Sequence, residues 1–122
     1  MLDTEALHRI GIDTEEGIAY CADDPEFYED MLREYLQESD GRAANLRRFC
    51  ASQDWSQYGL CAHTVKSTSK MIGAKAVSEL AREMELACRS GDPASVLIGH
   101  DRFLREYADL ADCLRTVMQT SE

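Results

Sequence analysis

The two prolines are the sequence feature that most constrains the fold, because each follows an aspartate directly and neither interrupts an apolar pattern. Asp24-Pro25 and Asp92-Pro93 each combine a side-chain acceptor for a helix cap with a residue that suits the first helical position. Elsewhere apolar residues recur every three to four positions, and no alternating run is long enough to indicate a strand. The chain has 14 Ala and 12 Leu against nine Val and Ile together, which favours helices over sheets. We therefore predict an all-α fold.

Local signals divide the chain into helices. Thr14 is predicted to cap the second helix, Asp54 opens a later one, and Gly73 is the usual residue for a left-handed helix exit. Asp40-Gly41 is predicted to break the long segment that begins at Asp24-Pro25. The predicted helices span residues 4–10, 14–21, 24–39, 42–52, 54–72, 74–90 and 93–118. The predicted apolar stripes include Phe27 in the third of these helices and Leu97 and His100 in the last.

Long helices with one apolar stripe and short connections pack antiparallel. We expect an up-and-down antiparallel four-helix bundle built from residues 24–52, 54–72, 74–90 and 93–118. The short N-terminal helices of residues 1–23 are expected to lie across one end of it. The whole chain, residues 1–122, is then a single domain with its bundle at residues 24–118.

Composition excludes several classes of function. Thirteen Lys and Arg against 23 Asp and Glu give a net charge of -10, which argues against a nucleic-acid partner. No apolar run approaches the length of a membrane span, and the acidic N-terminus lacks the pattern of a signal peptide. We expect no membrane association and a cytoplasmic protein. The five cysteines show no CxxC pair and are expected to be reduced thiols, mostly in the core.

The helix predicted over residues 54–72 presents two different faces. Leu60 and Val65 belong to a group of mainly apolar residues on one side. His63, Lys66 and Lys70 lie on the other, among small residues. An imidazole on such a face suits presentation of a ring nitrogen to a large partner, and a cation one turn away can neutralise an oxyanion held there. The alternative is an ordinary solvated helix face.

The segment AHTVKSTSKMIGA, residues 62–74, resembles the motif of histidine-containing phosphotransfer (HPt) domains. In that motif a histidine is followed by lysine at +3, a small residue at +4 and glycine at +10. Here these residues are His63, Lys66, Ser67 and Gly73. The resemblance extends over roughly residues 12–117, because the preceding and following helices have matching order and lengths.

The resemblance implies a phosphorelay intermediate. His63 would accept a phosphoryl group from an aspartyl phosphate on a receiver domain and pass it to another receiver, and Lys66 would stabilise the phosphate charge. The implied partners are response-regulator receiver domains, with a hybrid histidine kinase as a further candidate. The protein would need no cofactor of its own, because the receiver supplies Mg²⁺ and completes the site. It would then be a carrier and not an enzyme by itself, and a monomer is the family-like expectation.

The resemblance also assigns a role to Glu85. In the family a polar side chain on the next helix, 22 residues after the histidine, approaches the imidazole. A carboxylate there would accept a proton from one ring nitrogen and leave the other free to attack. The alternative is a surface glutamate that pairs with Arg82 or Arg89.

We expect the receiver to dock on the shared surface of helices 42–52 and 54–72. Gly59, His63 and Ser67 form the small centre of this surface, with Lys66 and Lys70 beside it. Ser67 departs from the family, which usually has glycine there; its hydroxyl adds an atom at the contact and is a candidate donor to the phosphoryl group.

Other functions receive less support from the sequence. A helical adaptor that docks on a receiver or kinase without carrying phosphate is the main alternative. Glu5 and His8 form a single ExxH pattern without the second copy that di-metal bundles use, and Cys61 and His63 point to different helix faces. The starting Met and the lack of a flanking linker favour a free-standing carrier over an excised domain.

Overall fold

The computed structural model describes residues 2–120, and every regular element within that range is a helix. The six helices are α1 (Thr4–Arg9), α2 (Thr14–Tyr20), α3 (Pro25–Ala51), α4 (Trp55–Met71), α5 (Lys75–Arg89) and α6 (Pro93–Thr120). The prediction of an all-α fold is confirmed. None of these helices is long and apolar enough to cross a membrane.

The predicted break at Asp40-Gly41 is wrong, because α3 runs through it without interruption. Gly41 is exposed and leaves open space where a side chain would stand. On either side Ser39, Ala43 and Leu46 are buried against the rest of the bundle. A glycine inside a helix costs about 1 kcal/mol, whereas burying a leucine side chain contributes about 1.5–3 kcal/mol. Tertiary packing therefore outweighs the local signal.

Aspartate side chains cap most of the helices. Asp24 accepts the backbone N–H groups of Glu26 and Phe27, and Asp54 accepts that of Gln57. The predicted Thr14 cap of α2 is wrong by one residue.

Asp13 caps α2 instead, and it accepts the N–H of Glu16. Thr14 is buried, and its hydroxyl lies 2.9 Å from Nε2 of His8.

The four long helices form the predicted antiparallel bundle. Each packs against its neighbours in the chain, and α3 also packs against α6, which closes the ring. Aromatic side chains fill the centre, where the rings of Tyr35 and Tyr107 meet edge to face at 5.8 Å and the Tyr35 hydroxyl contacts Ser69 Oγ at 2.8 Å. The prediction that Phe27 and Leu97 belong to the buried stripes is wrong, because 42% and 56% of these residues are exposed.

The buried face of α4 differs from the apolar face that the sequence predicts for this helix. Its buried line consists of Tyr58, Ala62, Val65 and Ser69, at helical spacing. Leu60, which the sequence grouped with the apolar side, is 61% exposed. This difference follows from Tyr58, a large side chain that enters the core and takes the inward position.

The N-terminal helices lie at the end of the bundle where α4 turns into α5, as predicted. Gly17 of α2 lies against this turn, where an added Cβ would be 2.8 Å from the Ile72 carbonyl oxygen. The Tyr28 hydroxyl donates to the same carbonyl at 2.8 Å. Lys75, at the start of α5, pairs with Asp13 and Glu16. The turn that links α4 to α5 is therefore held by contacts from both α2 and α3.

Candidate functional site

His63 lies in the middle of α4 with half of its side chain exposed. Gly59 and Ser67, one turn before and one turn after it, leave its surroundings open on the helix surface. The imidazole is therefore accessible to a large partner.

Glu85 of α5 holds one edge of this imidazole. Its Oε2 lies 2.8 Å from His63 Nδ1, and only 5% of its side chain is exposed. Burial alone would raise the pKa of the Glu85 carboxyl, but hydrogen bonds from Lys66 and His63 hold that pKa below its ordinary value. An ionised carboxylate can only accept, so Nδ1 is the donor in this contact and Nε2 is the ring nitrogen that the contact leaves free.

Two cations neutralise this buried carboxylate. Lys66 Nζ lies 2.7 Å from Glu85 Oε1, and Arg89 Nη2 lies 2.7 Å from Oε2. Glu85 therefore meets the imidazole and also pairs with Arg89, but the alternative prediction of a surface glutamate is wrong, because the residue is buried. The other suggested partner, Arg82, pairs with Glu79 instead.

An open groove of about 550 Å³ runs beside His63 between α4 and α5. Its walls are formed by Trp55, Ser56, Gly59, Leu60, His63, Glu85, Cys88 and Arg89. The groove beside the imidazole thus combines the apolar side chains of Trp55 and Leu60 with the guanidinium of Arg89.

The other predicted site residues take different positions. Gly59 faces α5, where an added Cβ would lie 3.2 Å from Cys88 Cβ, so it serves the contact between helices as well as the groove. The Ser67 hydroxyl donates to the His63 carbonyl at 3.1 Å. Lys70 is exposed, two turns from His63, and its Nζ lies 5.8 Å from the centre of the Tyr20 ring.

The structure adds residues that the sequence did not place at this site. Arg89 joins through its contact with Glu85, and Leu60 and Cys88 join through the groove. For Arg89 the signal was its spacing, because a residue four positions after Glu85 lies on the same helix face. For Leu60 the sequence carried the opposite signal, since a leucine at helical spacing usually belongs to the core.

The remaining histidines have structural contacts. His100 is partly buried, its Nδ1 lies 2.8 Å from the Tyr58 hydroxyl, and burial lowers its pKa. This agrees with its predicted place in the apolar stripe of the last helix. Within residues 2–120 no group of three or more His, Cys, Asp or Glu side chains could hold a metal ion.

Charge is distributed unevenly around His63. Asp54 is the one acidic residue between Asp40 and Glu79. The same stretch contains Arg42, Arg47, Arg48, Lys66, Lys70 and Lys75. The second half of α3 and all of α4 are therefore basic, although the chain as a whole carries a net charge of -10.

Comparison with known proteins gives a family match. A family model described as Hpt domain matches residues 30–119, which is well over half of the chain and contains all four helices of the bundle except the first residues of α3 and the last residue of α6. Neither the comparison with curated proteins nor that with solved structures finds a match.

Proposed function

Because the chain belongs to the Hpt domain family, whose members take part in histidine phosphotransfer within phosphorelays, we propose that His63 is the phosphoryl-carrying residue. It accepts a phosphoryl group from the aspartyl phosphate of one receiver domain and passes it to another. The observation that carries this proposal is the contact of 2.8 Å between His63 Nδ1 and a buried carboxylate. That contact leaves a nucleophilic nitrogen on the exposed edge of the ring.

The imidazole of His63 is the group of this chain that forms and breaks bonds in the transfer step. Nε2 attacks the phosphorus of the aspartyl phosphate, the N–P bond forms, and the P–O bond breaks to release the receiver's aspartate as a carboxylate. The Nδ1 proton stays in its hydrogen bond to Glu85, so the ring becomes cationic and the carboxylate stabilises it. Attack by the aspartate of a second receiver reverses these changes.

Lys66 and the receiver supply the remaining charge. A phosphoryl group brings about two negative charges next to the Glu85 carboxylate, and this repulsion has to be offset. Lys66 would offset part of this charge, because its ammonium group contacts Glu85 from one turn beyond His63. The chain requires no cofactor of its own under this proposal, and Mg²⁺ belongs to the receiver.

Glu85 is the first residue to test. Glu85→Ala removes the acceptor for Nδ1–H and is expected to slow phosphorylation of His63 about 10–100-fold. Glu85→Gln keeps an acceptor oxygen and is expected to retain most of the rate. The measurement is the rate of transfer together with the His63 tautomer from ¹⁵N NMR. Glu83→Ala, an exposed change on the same helix, is the control. Equal rates in Glu85→Ala and Glu83→Ala would contradict the orienting role.

The docking surface for the receiver combines charge with one apolar contact. The basic second half of α3 and the basic helix α4 attract an acidic partner and orient the encounter. Leu60 stands one turn from His63 and lines the groove beside it as well as a second groove toward Arg42 and Phe49 of α3. This position makes Leu60 the apolar centre of the proposed interface.

Leu60→Ala is therefore expected to weaken receiver binding about tenfold, because it removes most of an exposed apolar side chain from the contact. Isothermal titration calorimetry with an unphosphorylated receiver measures the effect. Ile98→Ala on α6 is the matched control, since 83% of that residue is exposed and it does not line the groove at His63. An equal loss of affinity in the two variants would place the interface elsewhere.

The test of the function is transfer of labelled phosphate from a charged receiver. The receivers come from the same genome, and the label on this chain is then exposed to acid and to base. A label that is stable in base and lost in acid, mapped to His63 by mass spectrometry, is the expected result. Receivers that bind but transfer no phosphate would support the alternative, an adaptor without phosphotransfer.

A further inference from the structure

Another groove, of about 560 Å³, is lined by α1, the start of α5 and α6. Helix α4, which carries His63, contributes no residue to it, and it has no residue in common with the groove beside His63. Its apolar lining consists of Ile10, Ala74, Ala76, Val77 and Leu110. The proposed phosphotransfer reaction gives this groove no role.

The groove has the shape and the lining that a helix needs for close approach. Ala74 and Ala76 contribute only a methyl group each at the start of α5. Helix α6 borders the groove over residues 106–113, which is about two turns. Asp109 and Cys113, one turn apart on this border, are exposed. Because helices pack with the ridge of one in the groove of the other, this border of α6 is itself a ridge that such a groove can accommodate.

The charges that line the groove are of both signs and lie on different helices. Arg9 lines it from α1, whereas Glu106 and Asp109 line it from α6. Within residues 2–120, neither Arg9 nor Asp109 has a salt bridge or a side-chain hydrogen bond. Glu106 contacts Arg102 at 3.9 Å, in an exposed pair that contributes little. A protein that fits this groove therefore has to offer a carboxylate to Arg9 and a cation to Asp109.

A second copy of this chain meets both requirements. In a dimer with two-fold symmetry each contact occurs twice, with the two residues exchanged between the copies. When the α6 ridge of each copy lies in the groove of the other, Asp109 of either copy can face Arg9 of the other. One cation and two carboxylates line the groove, so like-charge repulsion is small at this face, although the whole chain carries a net charge of -10.

We propose that the groove between α1, α5 and α6 is the interface of a two-fold dimer of this chain, in which Arg9 of each copy pairs with Asp109 of the other. This dimer replaces the monomer that the family resemblance implies. The proposed function of His63 is not needed for it. Because the two grooves have no residue in common, the dimer leaves the groove beside each His63 open. Each assembly then presents two His63 imidazoles.

Sedimentation equilibrium of the full chain tests the dimer. A reducing agent keeps the exposed Cys113 from forming a disulfide. The wild-type chain is expected to dimerise with a dissociation constant of about 10–100 μM, as suits a small and partly charged interface. Arg9→Glu and Asp109→Arg are each expected to raise this constant at least about tenfold, because each change places like charges opposite one another.

An equimolar mixture of these two variants is the decisive sample. In the mixed dimer the two introduced charges face each other and the original Arg9 faces the original Asp109, so dimerisation is expected to return to about the wild-type level. Restored association also shows that both variants are folded.

Two matched controls change the net charge by the same amounts outside the groove. Arg82→Glu on α5 and Asp30→Arg on α3 alter exposed residues that do not line it, and both are expected to leave the dissociation constant unchanged. A wild-type chain that stays monomeric up to about 1 mM would overturn the inference. A mixture of Arg9→Glu and Asp109→Arg that dimerises no better than either variant alone would also overturn it.

Discussion

Replacing His63 by glutamine is expected to abolish phosphate uptake, with a loss of at least about 10³-fold in the transfer rate. Glutamine has a similar reach but no nucleophilic ring nitrogen. The side chain is half exposed on the surface of α4, so the free energy of unfolding is expected to change by less than about 1 kcal/mol. Receiver binding should persist, because Leu60 and the basic residues around it are unchanged.

The matched controls are the other two histidines. His100→Gln alters a partly buried ring that contacts Tyr58, and His8→Gln alters one that contacts Thr14. Neither residue lines the groove beside His63. Both variants are expected to accept phosphate at the wild-type rate, measured as acid-labile label on the chain. Label that survives in His63→Gln and disappears in His100→Gln would move the site to α6.

The proximity of Lys66 to His63 could be predicted from the sequence because it depends on local spacing. Lys66 lies one helical turn from His63 in any straight helix, and the two do share a buried carboxylate in the fold. The position of Glu85 came from the family resemblance, since no local rule connects residues 22 positions apart on different helices. Its contact at 2.8 Å depends on how α4 and α5 pack.

The parts that the sequence missed depend on competition between local and tertiary effects. Asp40-Gly41 is a reasonable break signal by itself, but buried residues on both sides hold α3 together through it. Leu60 matches a core residue in type and spacing, yet Tyr58 takes the inward position on α4. In both cases the outcome depends on which side chain the neighbouring helices accommodate, and this information is not local.

The turn at Gly73 sets the register between the helices that carry His63 and Glu85. Gly73 has φ +85°, a left-handed conformation that side chains other than glycine adopt only with strain. Its carbonyl also accepts the backbone N–H of Asp13 at 2.9 Å, and an added Cβ would collide with the Asp13 carbonyl. Glycine is therefore required at this position for two reasons. Its backbone has a positive φ, and the chain before α2 leaves no room for a Cβ atom.

Gly73→Ala is accordingly expected to reduce the free energy of unfolding by about 3 kcal/mol, as backbone strain adds to the displacement of the Asp13 segment. Gly91→Ala separates the two effects, because Gly91 has φ +69° and nothing within 4 Å of an added Cβ. That control is expected to lose only about 1 kcal/mol, from strain alone. Urea denaturation measures both values.

Equal losses of stability would mean that the chain before α2 moves aside and accommodates the added methyl group. A larger loss at Gly73, accompanied by slower phosphorylation of His63, would show that this turn fixes the contact between His63 and Glu85 from 10 residues away along α4.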